Sequence, residues 1–404
     1  MEAPFPFEGV RVVEVAEWTF IPAAAMLLAD LGADVIKIEP PGRGDSQRAL
    51  AAAGVAPSAG GVNLVMEATN RGKRSIGLDL THPQGRTVLH GLLENADVFM
   101  TSLRPKALSK LGIAADELRA KYPRLVYVHG HGQGRRGPDA ETGGYDMTAY
   151  WARSGLAYSL TQPDAKRPTR MRPGMGDKTG AMNAAFGVAA ALFRRAGTGQ
   201  GAVVDVSLLA TGLWTNSSDV VYSRALDREN SREQHALSNP LINEYQTKDG
   251  RWLVLVMLDS DKWWPDLCAH LDRPDLKDHV RFLSSTARRE NRDECIAVLQ
   301  AEFRGRTLDE WKKRFATLAG PWSPLNSVLE ALSDPQVEAN NYLTIATAPS
   351  GQVIPQVQCP VQFDGRVPDL GRAPDAFQHT DEILTELGKS RADIASLRQL
   401  GAAA

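Results

Sequence analysis

The chain has 404 residues, 43% of them apolar and 23% charged, which is typical of a soluble globular protein too long for one hydrophobic core. Its net charge of −2 argues against the concentrated basic surface that nucleic-acid binding needs. Three scattered cysteines and no apolar run near the ~20 residues of a membrane span predict a cytoplasmic protein without disulfides, a metal site, or a membrane partner.

The N-terminal half alternates predicted strands with predicted helices. The strands are expected at residues 10–15, 34–39, 73–80, 97–101 and 125–129. The helices are expected at residues 21–31, 83–95, 107–111 and 115–121. Such alternation predicts an α/β fold with a Rossmann-like parallel sheet covered by helices on both faces.

A dinucleotide site is not expected in this fold. The first β–α turn, residues 16–22, lacks the glycine fingerprint that holds a pyrophosphate. Residues 132–137 do match GxGxxG after a strand, but a polar loop beginning at Pro138 follows them instead of an apolar helix. We therefore interpret that motif as a loop and reject a nucleotide-dependent oxidoreductase.

One acidic residue lies in an unusual setting. The segment 173–180, PGMGDKTG, places Asp177 between glycines and directly before an apolar run, 181–193, that predicts a buried helix. Aspartate is a preferred helix N-cap, so capping is the plain interpretation. Glycines also let the backbone approach a ligand, and free N–H groups at a helix start favour negative charge. The motif alone leaves both roles open.

The C-terminal half changes character after a predicted strand at 203–207 and a single long helix at 208–221. Residues 223–243 are polar and predict a linker. A hairpin is expected where Lys248, Asp249 and Gly250 separate residues 245–247 from residues 252–256. Tryptophan-bearing helical segments follow, so residues 244–332 predict a second, smaller α+β domain, and residues 333–404 a return linker and C-terminal segment.

Six strings together resemble the class III coenzyme A transferase family, which is related to formyl-CoA transferase, carnitine CoA-transferase and α-methylacyl-CoA racemase. The strings run in order from about residue 8 to residue 390. They are LGADVIKIE at 31–39, NRGKRSIGLD at 70–79, GD at 176–177, GTGQG at 197–201, TKDG at 247–250 and HTDEIL at 379–384.

The resemblance implies an architecture that periodicity alone does not indicate. Residues 1–222 form the large CoA-binding domain, which the segment 345–404 completes by packing on it. Two such chains pass through one another as an interlocked homodimer. The polar stretches on either side of the small domain agree with that topology.

The resemblance also implies the chemistry and the site. Asp177 matches the nucleophile, which attacks an acyl-CoA thioester to give a mixed anhydride and then an aspartyl-CoA thioester, from which CoA passes to a small carboxylic acid. CoA is thus a substrate, and no permanently bound cofactor is expected. The residues expected to contact CoA are Trp18, Thr19, Phe20, Arg43, Lys73, Ser102, Leu103, Arg104, Lys110, Tyr145, Asp146 and Gly176. Solvated surface charge for the lysines and ordinary packing for Trp18 remain open alternatives.

Three other functions are alternatives to transfer. The racemase needs a histidine where this chain has Tyr145, and tyrosine, with a pKa of ~10, is a poor base at neutral pH. A non-catalytic CoA-binding protein would need no Asp177. Metal-dependent hydrolysis has little support, because no paired His/Asp cluster is evident. Formyl and oxalate are not expected as partners, because Thr19 stands where the oxalate enzyme has glutamine.

Overall fold

The computed structural model describes residues 3–54, 57–230 and 239–404; part of the predicted linker, residues 231–238, lies outside them. The strands in these residues are β1 Arg11–Val15, β2 Asp34–Glu39, β3 Ser58–Ala59, β4 Val62–Asn63, β5 Arg74–Gly77, β6 Val98–Thr101, β7 Val126–His131, β8 Val203–Ser207, β9 Ile242–Gln246, β10 Trp252–Val256, β11 Trp322–Pro324, β12 Leu343–Thr347 and β13 Val353–Val357.

The α-helices, in chain order, are α1 Phe20–Asp30, α2 Ser46–Ala52, α3 Leu64–Asn70, α4 Pro83–Leu93, α5 Pro105–Leu111, α6 Ala115–Lys121, α7 Leu156–Ser159, α8 Met175–Thr198, α9 Leu208–Thr215, α10 Ser217–Leu226, α11 Ser260–His270, α12 Pro274–Lys277, α13 Ser285–Glu290, α14 Arg292–Phe303, α15 Leu308–Arg314, α16 Val328–Leu332, α17 Pro335–Ala339, α18 Thr380–Glu386 and α19 Arg391–Gln399. A π-helix spans Asp146–Ala152. Among the described residues, no helix is long and apolar enough to cross a bilayer.

The chain divides into two compact units. The larger one contains Met1–Thr161, Lys166–Asn230 and Gln336–Ala404. The smaller one contains Gln162–Ala165 and Ser231–Pro335.

A six-stranded parallel sheet organises the larger unit, with strand order β5-β2-β1-β6-β7-β8. This confirms the predicted α/β fold and its parallel sheet. The chain builds outward from β1 to β2 and β5, and then returns to the other side of β1 with β6. The strand order therefore reverses between β1 and β6, and a crevice opens there at the carboxyl ends of the strands, where ligands of such sheets bind.

Apolar side chains cover both faces of this sheet. On one face, Val12 and Val128 pack in a cluster with residues of α1 and α8. On the other face, Val13 and Phe99 pack with residues of α4, α18 and α19. Gly180 allows α8 to lie close to α1, since a Cβ there would come within 2.6 Å of the Phe20 ring.

The smaller unit has its own sheet and core. Strands β11, β10 and β9 pair in that order and are antiparallel. The β9–β10 pair is the hairpin expected around Gly250, and its register aligns Trp252 with Gln246. A cluster that includes Trp264, Trp311 and Phe303 fills the core of the unit.

Two helices differ most from their predicted bounds. The predicted helix at 208–221 is broken at Asn216, which separates α9 from α10. Helix α8 begins at Met175, six residues before the apolar run, so Asp177 lies inside the helix.

Candidate active site

A cavity of about 110 Å³ lies in the crevice between the ends of β1 and β6. The chain after β1 contributes Glu17, and the end of β7 contributes His129 and His131. Seven of the residues expected at the site line it: Trp18, Phe20, Ser102, Leu103, Arg104, Tyr145 and Asp177. The topology of the sheet therefore gathers residues from five separate segments around one carboxylate.

Asp177 is the third residue of α8. Gly174 occupies the N-cap position with φ 89°, a left-handed conformation that suits glycine. The capping interpretation of Asp177 is therefore wrong. The carboxylate lies in the first turn, where unpaired backbone N–H groups concentrate, and it lines the cavity.

A second carboxylate organises the segment before Asp177. The buried Asp146, which begins the π-helix, accepts a hydrogen bond at Oδ2 from the backbone N–H of Gly174 at 2.6 Å. Burial and, second, the negative charge of Asp146 raise the pKa of Asp177 to about 7. Among the described residues, no donor forms a hydrogen bond with the Asp177 carboxylate. Its ionised form therefore keeps a lone pair free to attack an electrophile.

A second cavity, of about 210 Å³, adjoins the first. Its lining includes Arg43 and Pro40 after β2, and Asp79 and Leu80 after β5. Glu17 and Leu103 line both cavities. Together the cavities form a path along the carboxyl edge of the sheet, which suits an elongated ligand whose reactive end reaches Asp177.

A sequence model of CoA-transferase family III matches residues 7–380. The chain belongs to this family. The (R)-2-hydroxy-4-methylpentanoate CoA-transferase of Clostridioides difficile is 33% identical over 94% of this chain and 95% of that protein. The cinnamoyl-CoA:phenyllactate CoA-transferase of Clostridium sporogenes is 31% identical over 97% of this chain and 96% of that protein. A CAIB/BAIF family protein of Brucella suis matches with a TM-score of 0.83 and 28% identity, covering 95% of this chain and all of that one (100%).

Trp18 has a strained backbone within the site of this CoA-transferase. Its φ is 70°, which is uncommon for a bulky residue, and its N–H donates to Asp45 Oδ1 at 3.2 Å. The Trp18 and Tyr145 rings meet edge to face, with centroids 5.6 Å apart. The strained turn thus presents an aromatic surface to the cavity.

The remaining expected contacts of the CoA-transferase lie in varied settings. Thr19 precedes α1, and its hydroxyl accepts a hydrogen bond from Gln47 Nε2 at 2.7 Å. Gly176 is buried, and a Cβ there would come within 2.5 Å of the Tyr150 ring. Lys110 is exposed in the last turn of α5, and the Arg43 guanidinium pairs with Glu17. Arg43 lines the second cavity rather than the first.

Lys73 does not suit the predicted contact with CoA. Its side chain is fully buried, and its ammonium donates to Glu14 Oε2 at 2.6 Å, Pro22 O at 2.8 Å and Asn70 Oδ1 at 2.8 Å. Those three bonds use all three ammonium hydrogens. Glu14 also pairs with the buried Lys37 at 2.8 Å. Lys73 thus belongs to a charge network inside the sheet, and its ammonium has no hydrogen left to donate to CoA.

The cavity also contains a histidine pair that was not among the expected site residues. His131 Nε2 lies 3.1 Å from Asp205 Oδ1, and His129 Nε2 lies 2.8 Å from the carbonyl oxygen of Leu103. His129, His131 and Asp205 are the one group of three histidine, cysteine or acidic side chains, among the described residues, whose possible metal-ligand atoms all lie within 4.8 Å of one another. The hydrogen bond to Asp205 accounts for the contact between His131 and that carboxylate, and His129 is held by the Leu103 carbonyl. The His-x-His spacing within a strand was the signal available in the sequence.

Proposed function

We propose that this enzyme moves CoA from an acyl-CoA to a carboxylic acid, with Asp177 as the nucleophile that is covalently modified. The observation that carries the proposal is the position of Asp177. It lies in the first turn of a long helix, lines a cavity at the topological switch point, and has a pKa raised to about 7. Family membership and an unpaired carboxylate in that cavity support the same conclusion.

In the proposed mechanism, a carboxylate oxygen of Asp177 attacks the thioester carbonyl. A C–O bond forms, the C–S bond breaks, and CoA leaves as a thiolate. The thiolate then attacks the aspartyl carbonyl of the anhydride, which releases the first acid and leaves an aspartyl-CoA thioester. The carboxylate of the second acid attacks this thioester, which forms a second mixed anhydride and releases the CoA thiolate again. The thiolate then attacks the acyl carbonyl of that anhydride, which gives the new acyl-CoA and frees the Asp177 carboxylate. Backbone N–H groups around Gly176 are proposed to stabilise the oxyanions.

We propose that CoA lies along the path formed by the two cavities. The nucleotide end would occupy the larger cavity beside Arg43, with Arg104 and the exposed Lys110 as further cations for the phosphates. The pantetheine arm would pass Leu103 and the aromatic pair of Trp18 and Tyr145. The coenzyme is substrate in this scheme, and no permanently bound cofactor takes part.

The acids are proposed from the relatives. Two relatives are named for (R)-2-hydroxy-4-methylpentanoate and for phenyllactate, which are 2-hydroxy acids with an apolar side chain. Others are named for succinate and glutarate. A first substrate panel should therefore contain acyl-CoAs and free acids of both kinds, with product CoA thioesters identified by mass spectrometry.

We also propose the interlocked homodimer. Large apolar side chains project from α8 and α9 in the isolated chain: Phe193 is 85% exposed, and Phe186 and Trp214 are each 75% exposed. Large apolar side chains exposed to this degree on neighbouring helices favour a protein contact. The cytoplasmic location stays a prediction.

The decisive test is replacement of the proposed nucleophile. Asp177→Ala should lower CoA transfer by several orders of magnitude, because no anhydride can form, while CoA still binds. Hydroxylamine added during turnover should convert Asp177, and no other residue, to a hydroxamate detectable by peptide mass spectrometry. A matched control is Asp116→Ala, which removes an exposed aspartate from the first turn of α6. Near-normal transfer by Asp177→Ala would refute the mechanism.

The racemase alternative makes a different prediction. Removal of the α-proton needs a second base, and Tyr145 stands where the racemase has histidine. We expect little or no deuterium at C2 when a 2-methylacyl-CoA is incubated with the enzyme in D₂O. Rapid wash-in that Asp177→Ala abolishes would favour the racemase, and the variants His131→Phe and His129→Phe would then identify the second base.

A further inference from the structure

The histidine pair is the part of the cavity that the proposed mechanism does not use. His129 and His131 are alternate residues of β7, so their side chains share one face of the sheet. Both are buried, and their ring centroids are 3.8 Å apart. Asp205 on the neighbouring strand β8 is the partner of His131, and Arg135 pairs with the same carboxylate at 3.3 Å.

The hydrogen bonds of the pair define which ring nitrogens are protonated. His129 Nε2 contacts a carbonyl oxygen and His131 Nε2 contacts a carboxylate oxygen, and both of those oxygens only accept hydrogen bonds. Each neutral ring therefore carries its proton on Nε2 and has an acceptor lone pair on Nδ1. Among the described residues, neither Nδ1 has a hydrogen-bond donor. Both rings line the cavity, so an Nδ1 lone pair is available to a hydrogen-bond donor on a bound substrate.

The two rings are not equal acceptors. The carboxylate of Asp205, which accepts a hydrogen bond from Nε2 of His131, polarises that ring and makes its Nδ1 a better hydrogen-bond acceptor. His129 has only a carbonyl behind it, and burial, followed by the proximity of His131, lowers its pKa to about 4. His131 is therefore the stronger acceptor, and His129 packs against it.

The position of Asp177 limits which part of a substrate can reach His131. The reacting carbon must come within about 3–3.5 Å of the nucleophile. A group on the next carbon therefore lies in the same cavity of about 110 Å³ that both histidines line. A hydroxyl on that carbon is the donor that the acid itself can supply.

We propose that the transferred acid is a 2-hydroxy acid, and that His131 Nδ1 accepts a hydrogen bond from its hydroxyl while Asp205 positions the ring. This inference rests on the proposed function, because it assumes that the acid reacts at Asp177. His131 is a specificity-determining residue in this scheme, and Asp205 is a positioning residue.

The test uses label exchange between an acid and its own CoA thioester, so no donor needs to be known. The ¹³C-labelled acids form two pairs that differ only in the 2-hydroxyl group. One pair is lactate and propanoate, and the other is 2-hydroxyhexanoate and hexanoate. The wild-type enzyme should favour each hydroxy acid by about tenfold or more in kcat/KM, because the acid without a hydroxyl leaves the acceptor unpaired. His131→Phe should bring the ratio close to one by slowing only the hydroxy acids. Asp205→Asn should give an intermediate ratio.

The ratio of the two acids is measured on one preparation, so it does not depend on the fraction of folded enzyme. The control His90→Phe, in α4 and away from the cavity, should leave the ratio unchanged. A wild-type enzyme that does not discriminate would overturn the inference. An equal loss for both acids in His131→Phe would also overturn it and assign the donor to the pantetheine amides. If exchange occurs without discrimination but needs Asp177, only this inference fails; exchange independent of Asp177 refutes the proposed function.

Discussion

At the scale of single residues, two effects oppose each other at Asp177. The start of α8 favours negative charge there, because unpaired backbone N–H groups and the positive end of the helix dipole lie in the first turn. Burial and the charge of Asp146 oppose ionisation, and the pKa of about 7 shows that they dominate. A carboxylate that is poorly stabilised is a stronger nucleophile, but only its ionised fraction reacts. The raised pKa thus makes the ionised Asp177 a stronger nucleophile, but it also lowers activity at low pH, where most of the residue is protonated.

This balance predicts the acid limb of the pH–rate profile. Because the pKa of Asp177 is raised, the residue is protonated below about pH 7, and transfer should fall tenfold per pH unit there. Asp146→Asn keeps an acceptor for the Gly174 N–H and removes the neighbouring charge. The limb should therefore move to lower pH in this variant. The measurement is kcat/KM between pH 5 and 9.

Other ionisable groups also line the cavity, among them Glu17, Arg104, His129 and His131. Glu17→Gln therefore serves as a comparison for a charge removed elsewhere in the cavity. If the acid limb of the pH–rate profile stays in place in Asp146→Asn, or moves equally in Glu17→Gln, the limb does not report the interaction between Asp146 and Asp177.

Single residues also show where sequence reasoning ended. The glycines around Asp177 are local signals, and they indicated a carboxylate that lines the cavity in the structure. Lys73 has no local signal that separates a surface lysine from a buried one. Its burial follows from Glu14, 59 positions away, whose carboxylate satisfies the ammonium. His131 pairs with Asp205 because β8 lies beside β7 in the sheet, and the sequence alone does not show which strands are neighbours.

At the scale of elements, most strands of the parallel sheet were predictable because they are short runs rich in valine and isoleucine and bounded by turns. The start of α8 was not, since residues 175–180 are rich in glycine and polar groups that disfavour a helix alone. Contacts such as that of Gly176 with Tyr150 hold this turn in place. Tertiary packing therefore decided the element that carries the nucleophile.

The charge network that joins the strands makes a prediction about stability. Glu14 in β1 is the shared anion of two fully buried ammonium groups, Lys37 in β2 and Lys73 beside β5. Glu14→Gln leaves uncompensated positive charge in the sheet and should cost about 3–5 kcal/mol. Thermal and denaturant unfolding of the variant would measure this loss.

Glu386→Gln is a matched control for the same substitution at a surface ion pair. Glu386 pairs with Arg74 while its side chain remains 46% exposed, so its loss should cost less than about 1 kcal/mol. Equal costs for the two variants would contradict a structural role for the buried network.

At the scale of the whole molecule, the exposed surface of the larger unit is the informative feature. Helix α8 buries Ala184 and Val188 on one side and exposes Phe186 and Phe193 on the other. A helix that is apolar on both sides is typical of a protein interior. The outer side of α8 is therefore expected to be covered by a second copy of the chain.

The last prediction concerns that assembly. Sedimentation equilibrium at low micromolar concentration should give twice the mass of 43.9 kDa. Phe193→Asp places a charge on the exposed side of α8 and should weaken the dimer or prevent its folding, whereas Leu400→Asp, at the end of α19, should not. Both side chains are exposed in the single chain. If neither were covered by a partner, both substitutions should leave the mass in solution unchanged. A folded, active wild-type monomer would contradict the interlocked homodimer, because the apolar side of α8 would then face water.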